Sequence, residues 1–167
     1  MPESWQWIRL KDVFLLLSGR DLSSLDYNDT KDGIPYITGA SNFSNGSILI
    51  NRWTNNPQVI TKTGDLLITC KGTVGEIAIN NFGDAHIARQ IMAIRNPFSL
   101  NIEYIALCLE HHVELLKNKS KGLIPGISRD DILNLLLPIP SQIEQERIVY
   151  TTSNIYKEIS KIEANLS

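Results

Sequence analysis

The sequence predicts a mixed α/β domain of the α+β kind, a mostly antiparallel sheet with flanking helices, followed by a coiled-coil helix. Three observations support this. Between Ile34 and Arg95, short runs rich in Ile, Val and Leu alternate with turn-forming breaks, the pattern of short strands. From Ile102 the apolar residues recur every three or four positions, the period of one helix face. Pro138 and Pro140 close a later apolar run immediately before a charged helical segment, and prolines so placed end a core element.

In order along the chain, Trp5 to Leu17 mixes a short strand with a helical turn and serves as an entry element. Ser18 to Gly33 is rich in Gly, Asp, Ser and Asn and reads as an exposed loop, with Asp21, Asp26, Asp29 and Asp32 in it. Strand-like runs follow at Ile34 to Thr38, Ser47 to Asn51, Gln58 to Ile60, Asp65 to Cys70, Gly75 to Ile79 and Ile87 to Arg95. They are separated by breaks such as "SNGS", "TGD", "KGTVG" and "NNFGD". Ile105, Leu109, Val113 and Leu116 mark a helix over Ile102 to Lys117, capped by Ser99 or Asn101. Ser128 with Asp131 three residues on starts a second, short helix. The run Leu135 to Ile139 is then an edge strand or an extended exit from the core.

Ser141 and Glu144 form a capping box at the head of the last helix. Along it Ile148, Ile155, Ile159, Ile162 and Leu166 follow a 7, 4, 3, 4 spacing, a heptad seam with Thr152 at the intervening position. Such a seam requires a helical partner; packing back on its own domain is the alternative. The division expected is a recognition unit over residues 1–140 and a dimerisation or spacer helix over 141–167.

Composition narrows the function. A chain of 167 residues with 43% hydrophobic side chains suits one domain plus an appendage. No stretch approaches the roughly 20 apolar residues of a membrane span, and "MPESWQWIRLKDV" lacks the regions of a signal peptide, so a cytoplasmic protein is expected. Cys70 and Cys108 lack metal-ligand spacing and read as buried thiols. The net charge of −2 and pI of about 5.9 argue against coating nucleic acid by bulk electrostatics, so any such contact must be local.

Several segments in this order resemble one family. They are "PESWQWIRLKDV", "GIPYITGASNFSNG", "TGDLLITCKGTVGEIAI", "NIEYIALCLEHHVELLKN", "KGLIPGISRDDILNLLLPIP" and "EQERIV". Together they are similar to the target recognition domain of the DNA specificity subunits of type I restriction-modification enzymes. The resemblance implies a protein without catalytic activity or cofactor that reads one half of a split double-stranded DNA target. It also implies modification subunits, and in a restriction assembly the restriction subunit, as partners. Full subunits of the family carry two such domains joined by long antiparallel helices. One domain and one helix are present here, so the chain resembles either a half subunit that forms a homodimer through its helix or a fragment of a longer subunit.

The residues agree with a non-catalytic role. "NPF" (96–98) lacks the second proline of the adenine methyltransferase motif, and no Gly-rich loop for a methyl donor precedes it. In "GDLLITCK" (64–71) Thr69 stands where a metal nuclease needs its second acid. His111 and His112 are adjacent on a helix and point about 100° apart, which disfavours a shared metal.

Reading DNA needs exposed donors and acceptors on loops, with phosphate contacts to fix register. In "KGTVG", Lys71 offers a phosphate contact, Gly72 close backbone approach and Thr73 a hydroxyl; an ordinary tight turn is the other reading. Arg89 suits guanine and Gln90 adenine, and both can read bases only if the strand begins after them. Ser41, Asn42 and Asn45 are the candidates of a major-groove loop or of a plain hairpin connection, and Arg52 and Trp53 stand equally open. Lys117, Lys119 and Lys121 form a phosphate clamp or complement a helix C-terminus. The competing function class is a protein-interaction module that assembles through its helix and never touches DNA.

Overall fold

A computed structural model of the chain describes residues 5–119 and 126–166. The entry element is β1 (Gln6–Arg9), one helical turn α1 (Leu10–Val13) and β2 (Leu15–Ser18). After the polar loop come β3 (Ile34–Ile37), a 3-10 turn over Ala40–Asn42, the hairpin β4 (Phe43–Ser44) and β5 (Ser47–Ile48), then β6 (Trp53–Thr54) and β7 (Ile60–Thr61). β8 (Leu66–Thr69), β9 (Ile77–Ile79), β10 (Ala85–Ile87) and β11 (Ile91–Arg95) complete the sheet region. The chain ends with α2 (Ile102–Lys119), α3 (Arg129–Leu133), β12 (Leu136–Ile139) and α4 (Gln142–Leu166).

Two four-stranded sheets form the framework, in the orders β2-β11-β8-β9 and β6-β3-β10-β7. The first is antiparallel throughout; in the second, β3 and β10 run parallel and the other pairs antiparallel. Because side chains alternate across a strand, the first sheet feeds two cores at once. Leu66, Ile68, Met92 and Ile94 face the helices, packing with Phe14, Ile105, Leu109, Ile132 and Leu137. Leu67, Ile91 and Ala93 face the second sheet, with Ile37, Ala85 and Ile87. Coverage on both faces explains why β8 and β11 read as continuous apolar runs.

The predicted single run from Ile87 to Arg95 is divided. β10 lies in one sheet and β11 in the other, with a turn over 88–90 between them, closed by the Ile91 amide donating to Ala88 O at 2.9 Å. The crossing is tight. A Cβ on Gly19 would lie 2.1 Å from Ala88 O, so only glycine lets the chain after β2 pass this turn.

Of the two caps proposed for α2, Asn101 serves: its Oδ1 accepts the Tyr104 amide at 3.0 Å. The Ser128 box forms reciprocally, Ser128 Oγ accepting the Asp131 amide and Asp131 Oδ2 the Ser128 amide. At α4 only half of the predicted box forms: Ser141 Oγ accepts the Glu144 amide at 3.4 Å, while the Glu144 carboxylate pairs with Arg147 at 2.7 Å.

The prolines do not hold α4 off the rest of the chain. β12, which contains Pro138, pairs antiparallel with β1, and Gln145 behind it is buried. Its Oε1 accepts the Asn101 amide at 3.2 Å and its Nε2 donates to Pro140 O at 3.0 Å, while Ile148 and Val149 pack on the helix-side core. The first turns of α4 are thus docked, and Ile155, Ile159 and Ile162 beyond them are exposed. Among the described residues, no helix is long and apolar enough to cross a membrane.

Candidate nucleic-acid interface

Strand register brings four loop segments to one edge. Ile91 pairs with Thr69, Met92 with Ser18, and Ile87 with Ile37. The residues after β2, after β3 and after β8, and the turn between β10 and β11, therefore all emerge together. The Cys70 amide donates to Gln90 O at 2.7 Å, and the buried Cys70 thiol lies 3.7 Å from Arg89 O, which ties the 71–75 loop to the 88–90 turn. Burial pushes that thiol above its ordinary range.

In the 71–75 loop, Gly72 and Gly75 take positive φ of 74° and 88°, and the Gly75 amide closes on Thr69 O at 2.9 Å. The loop is a tight turn, and it also leaves Lys71, Gly72 and Thr73 exposed. Arg89 and Gln90 lie before β11 begins, so the condition for both to face outward is met, and both are exposed. Ser41 is exposed in the 3-10 turn, close to the same edge: a Cβ on its neighbour-but-one Gly39 would lie 2.4 Å from Gln90 Oε1.

The floor beneath these loops is built on His86, which is fully buried. Its Nδ1 accepts the Val59 amide at 3.1 Å, leaving Nε2–H to donate to Arg20 O at 2.8 Å. Burial lowers its pKa, which favours the neutral ring this network needs.

Asn42 is a correction. It is fully buried, with Oδ1 accepting from the Thr38 amide at 2.9 Å and the Gly39 amide at 3.3 Å, and Nδ2 donating to Leu49 O at 2.7 Å. Its side chain pins the loop and has no face left for a base. Asn45 is exposed at the tip of the β4-β5 hairpin, where its φ of 49° and that of Gly46 at 73° form the hairpin turn. It stands on a connection of its own, apart from the Arg89 turn.

Lys117 pairs with Glu114 at 3.1 Å, within the last turns of α2. That end of α2 abuts the 71–75 loop, since a Cβ on Gly75 would meet Val113 Cγ1 at 2.4 Å. The side chain of Lys119, and all of Lys121, lie outside the described residues. Arg52 stacks over Tyr27 at 4.8 Å, lining with Asn28, Asp29 and Asn51 an open polar depression of about 400 Å³.

Asp65, read from sequence against a nuclease core, is buried and fully engaged. It accepts from Thr61 Oγ1 at 3.0 Å, the Lys62 amide at 2.8 Å and Arg95 Nη2 at 2.7 Å. Among the described residues, no group of three or more His, Cys, Asp or Glu side chains is placed to hold a metal ion. The sequence reading missed Asp21, whose carboxylate pairs with Arg89 Nε at 2.8 Å. A lone exposed aspartate in an acidic loop carries no signal of a contact across 68 residues of chain.

Residues 2–167 match the family model of the type I restriction modification DNA specificity domain. The MjaX type I restriction enzyme specificity subunit of Methanocaldococcus jannaschii is 25% identical over 154 residues, covering 89% of this chain and 36% of that protein. The crystal structure of the HsdS subunit from Thermoanaerobacter tengcongensis superposes with a TM-score of 0.86 at 25% identity, covering all of this chain and 41% of the other. A chain from a structure of complex assembly and conformational transition of the type I R-M system gives 0.86 at 27% identity, over 99% of this chain and 41% of that one. The chain spans well under half the length of each.

Proposed function

Because the chain belongs to the type I restriction modification DNA specificity domain family, we propose that it reads one half of a two-part double-stranded DNA target and directs type I modification and restriction subunits to it. The observation that supports this most is the gathering of Lys71, Thr73, Arg89, Gln90 and Ser41, all exposed, at one edge of the sheets. Lys71, Lys117 and the lysines beyond it supply phosphate contacts, and Arg89 with Gln90 supplies base contacts. Residues 1–140 act as the recognition unit and 141–167 as the helix that spaces two such units in a homodimer.

A chain with net charge −2 gains little from non-specific attraction. Affinity then depends on this local set of donors, and filter binding with a random duplex pool, with and without modification subunits, tests it. Lys71→Ala is expected to weaken binding similarly across sequences and to flatten the salt slope by about one. Arg89→Ala or Gln90→Ala is expected instead to relax preference at one base position, at a cost of about 1 to 3 kcal/mol. Retention of no duplex under either condition would favour the protein-interaction reading.

The chain itself performs no methyl transfer or cleavage, with Asp65 committed to Arg95 and Thr61. Methyl-donor-dependent or metal-dependent turnover of DNA by the purified chain would refute this.

A further inference from the structure

One carboxylate holds the Arg89 turn at two points. Asp21 Oδ1 accepts the Arg89 amide at 3.1 Å, and Asp21 Oδ2 meets Arg89 Nε at 2.8 Å. An exposed ion pair contributes little to stability, and a carboxylate beside a phosphate backbone opposes binding. The consequence of this pair is directional. With the carboxylate on its Nε side as an ion pair, without an Nε–H hydrogen bond, the guanidinium leaves its two terminal nitrogens as a fork, the geometry that meets guanine O6 and N7 together. Among the described residues no hydrogen bond engages Arg89 Nη1 or Nη2.

The carboxylate is itself well founded. Arg20, its neighbour, donates its amide to Ile87 O at 2.9 Å and receives the His86 Nε2 proton at 2.8 Å. Gln90 is aimed by space in place of charge. Its Oε1 occupies the site a Gly39 Cβ would approach to 2.4 Å, and a Gly72 Cβ would lie 3.9 Å from the same atom. Gly39 has an extended φ of 168°, which any residue adopts, so the backbone does not require glycine there and the neighbouring amide does.

We propose that Asp21 and Gly39 are positioning residues for sequence readout: Asp21 aims the Arg89 fork at a guanine, and Gly39 leaves the room that seats the Gln90 amide beside it. The proposal rests on the reading of this edge as the DNA interface.

Asp21→Asn keeps an oxygen for the Arg89 amide and removes the charge that orients the side chain. Gly39→Ala meets only the end of a flexible side chain, so the fold accommodates it. The full chain with its modification subunits is used to select from a randomised duplex pool. The unmutated chain is expected to enrich guanine at one position. Asp21→Asn should cut that preference by about five-fold or more, while affinity for unselected duplex rises and the salt slope steepens by up to about one. Gly39→Ala should alter preference only at the adjacent position, and Asp21→Asn should add nothing in an Arg89→Ala background.

Undiminished guanine preference in folded Asp21→Asn would overturn the proposal, as would uniform loss on all sequences with a lowered melting temperature. Enrichment of no sequence by the unmutated chain would defeat the DNA reading itself, and the proposal with it, whereas enrichment that Asp21→Asn leaves intact defeats the proposal alone.

Discussion

Asp65→Ala is expected to lower stability by about 3 kcal/mol. Asp65 is 3% exposed and closes the turn before β8, accepting from Thr61 Oγ1 and the Lys62 amide while pairing with Arg95 at the far end of β11. Removing the carboxylate leaves the buried Thr61 hydroxyl without that acceptor and the Arg95 guanidinium without its partner. Arg95 keeps 29% of its side-chain surface in water, which places the cost at the lower end for a buried pair. Urea denaturation measures it. The double variant Asp65→Ala with Arg95→Ala should lose less than the sum of the two single changes, because the stranded charge goes with the acid. A loss below about 1 kcal/mol for Asp65→Ala would show that Arg95 turns to solvent freely.

The sheets were legible in the sequence because burial on one or both faces imposes apolar runs, and the turns because left-handed positions select Asn and Gly, as at Asn45 and Gly46. The division of the run from Ile87 to Arg95 was legible only as a condition: Arg89 and Gln90 interrupt the apolar pattern and a strand starting after them was left open, but the turn itself is fixed by the approach of Gly19 from a distant strand. Polarity misled in the same way at two amides. Asn42 and Gln145 look like surface residues, yet both are buried because their amides satisfy backbone groups that fold into the interior with them. The candidate interface was legible in part, since Lys71 and Arg89 stand in loops that turn chemistry identifies. The contacts that hold their loops, Cys70 to Gln90 and Asp21 to Arg89, are long-range, and no local pattern encodes them.

The second large effect is expected on assembly. Ile155, Ile159 and Ile162 are 55%, 44% and 59% exposed along α4, continuing a seam whose first member, Ile148, is docked on the core. In this helix of 25 residues, Gln145, Ile148 and Val149 of the first turns dock on the core, and the strip lies beyond them. Burying each isoleucine is worth roughly 1.5 to 3 kcal/mol, so the strip favours a partner of the same kind. An equivalent helix from a second copy, packed antiparallel, is expected to cover it and to set two recognition units at opposite ends, as the proposed two-part target requires. Ile155→Asp with Ile162→Asp removes two of these contacts from each helix and introduces carboxylates, weakening association by about a hundred-fold or more. The variant should sediment as a monomer, keep the melting temperature of the domain, since neither residue belongs to its core, and bind a two-part site poorly while still engaging a single half. An unmutated chain that is already monomeric at high micromolar concentration would overturn the homodimer and assign the seam to a helix of another chain or of a longer subunit.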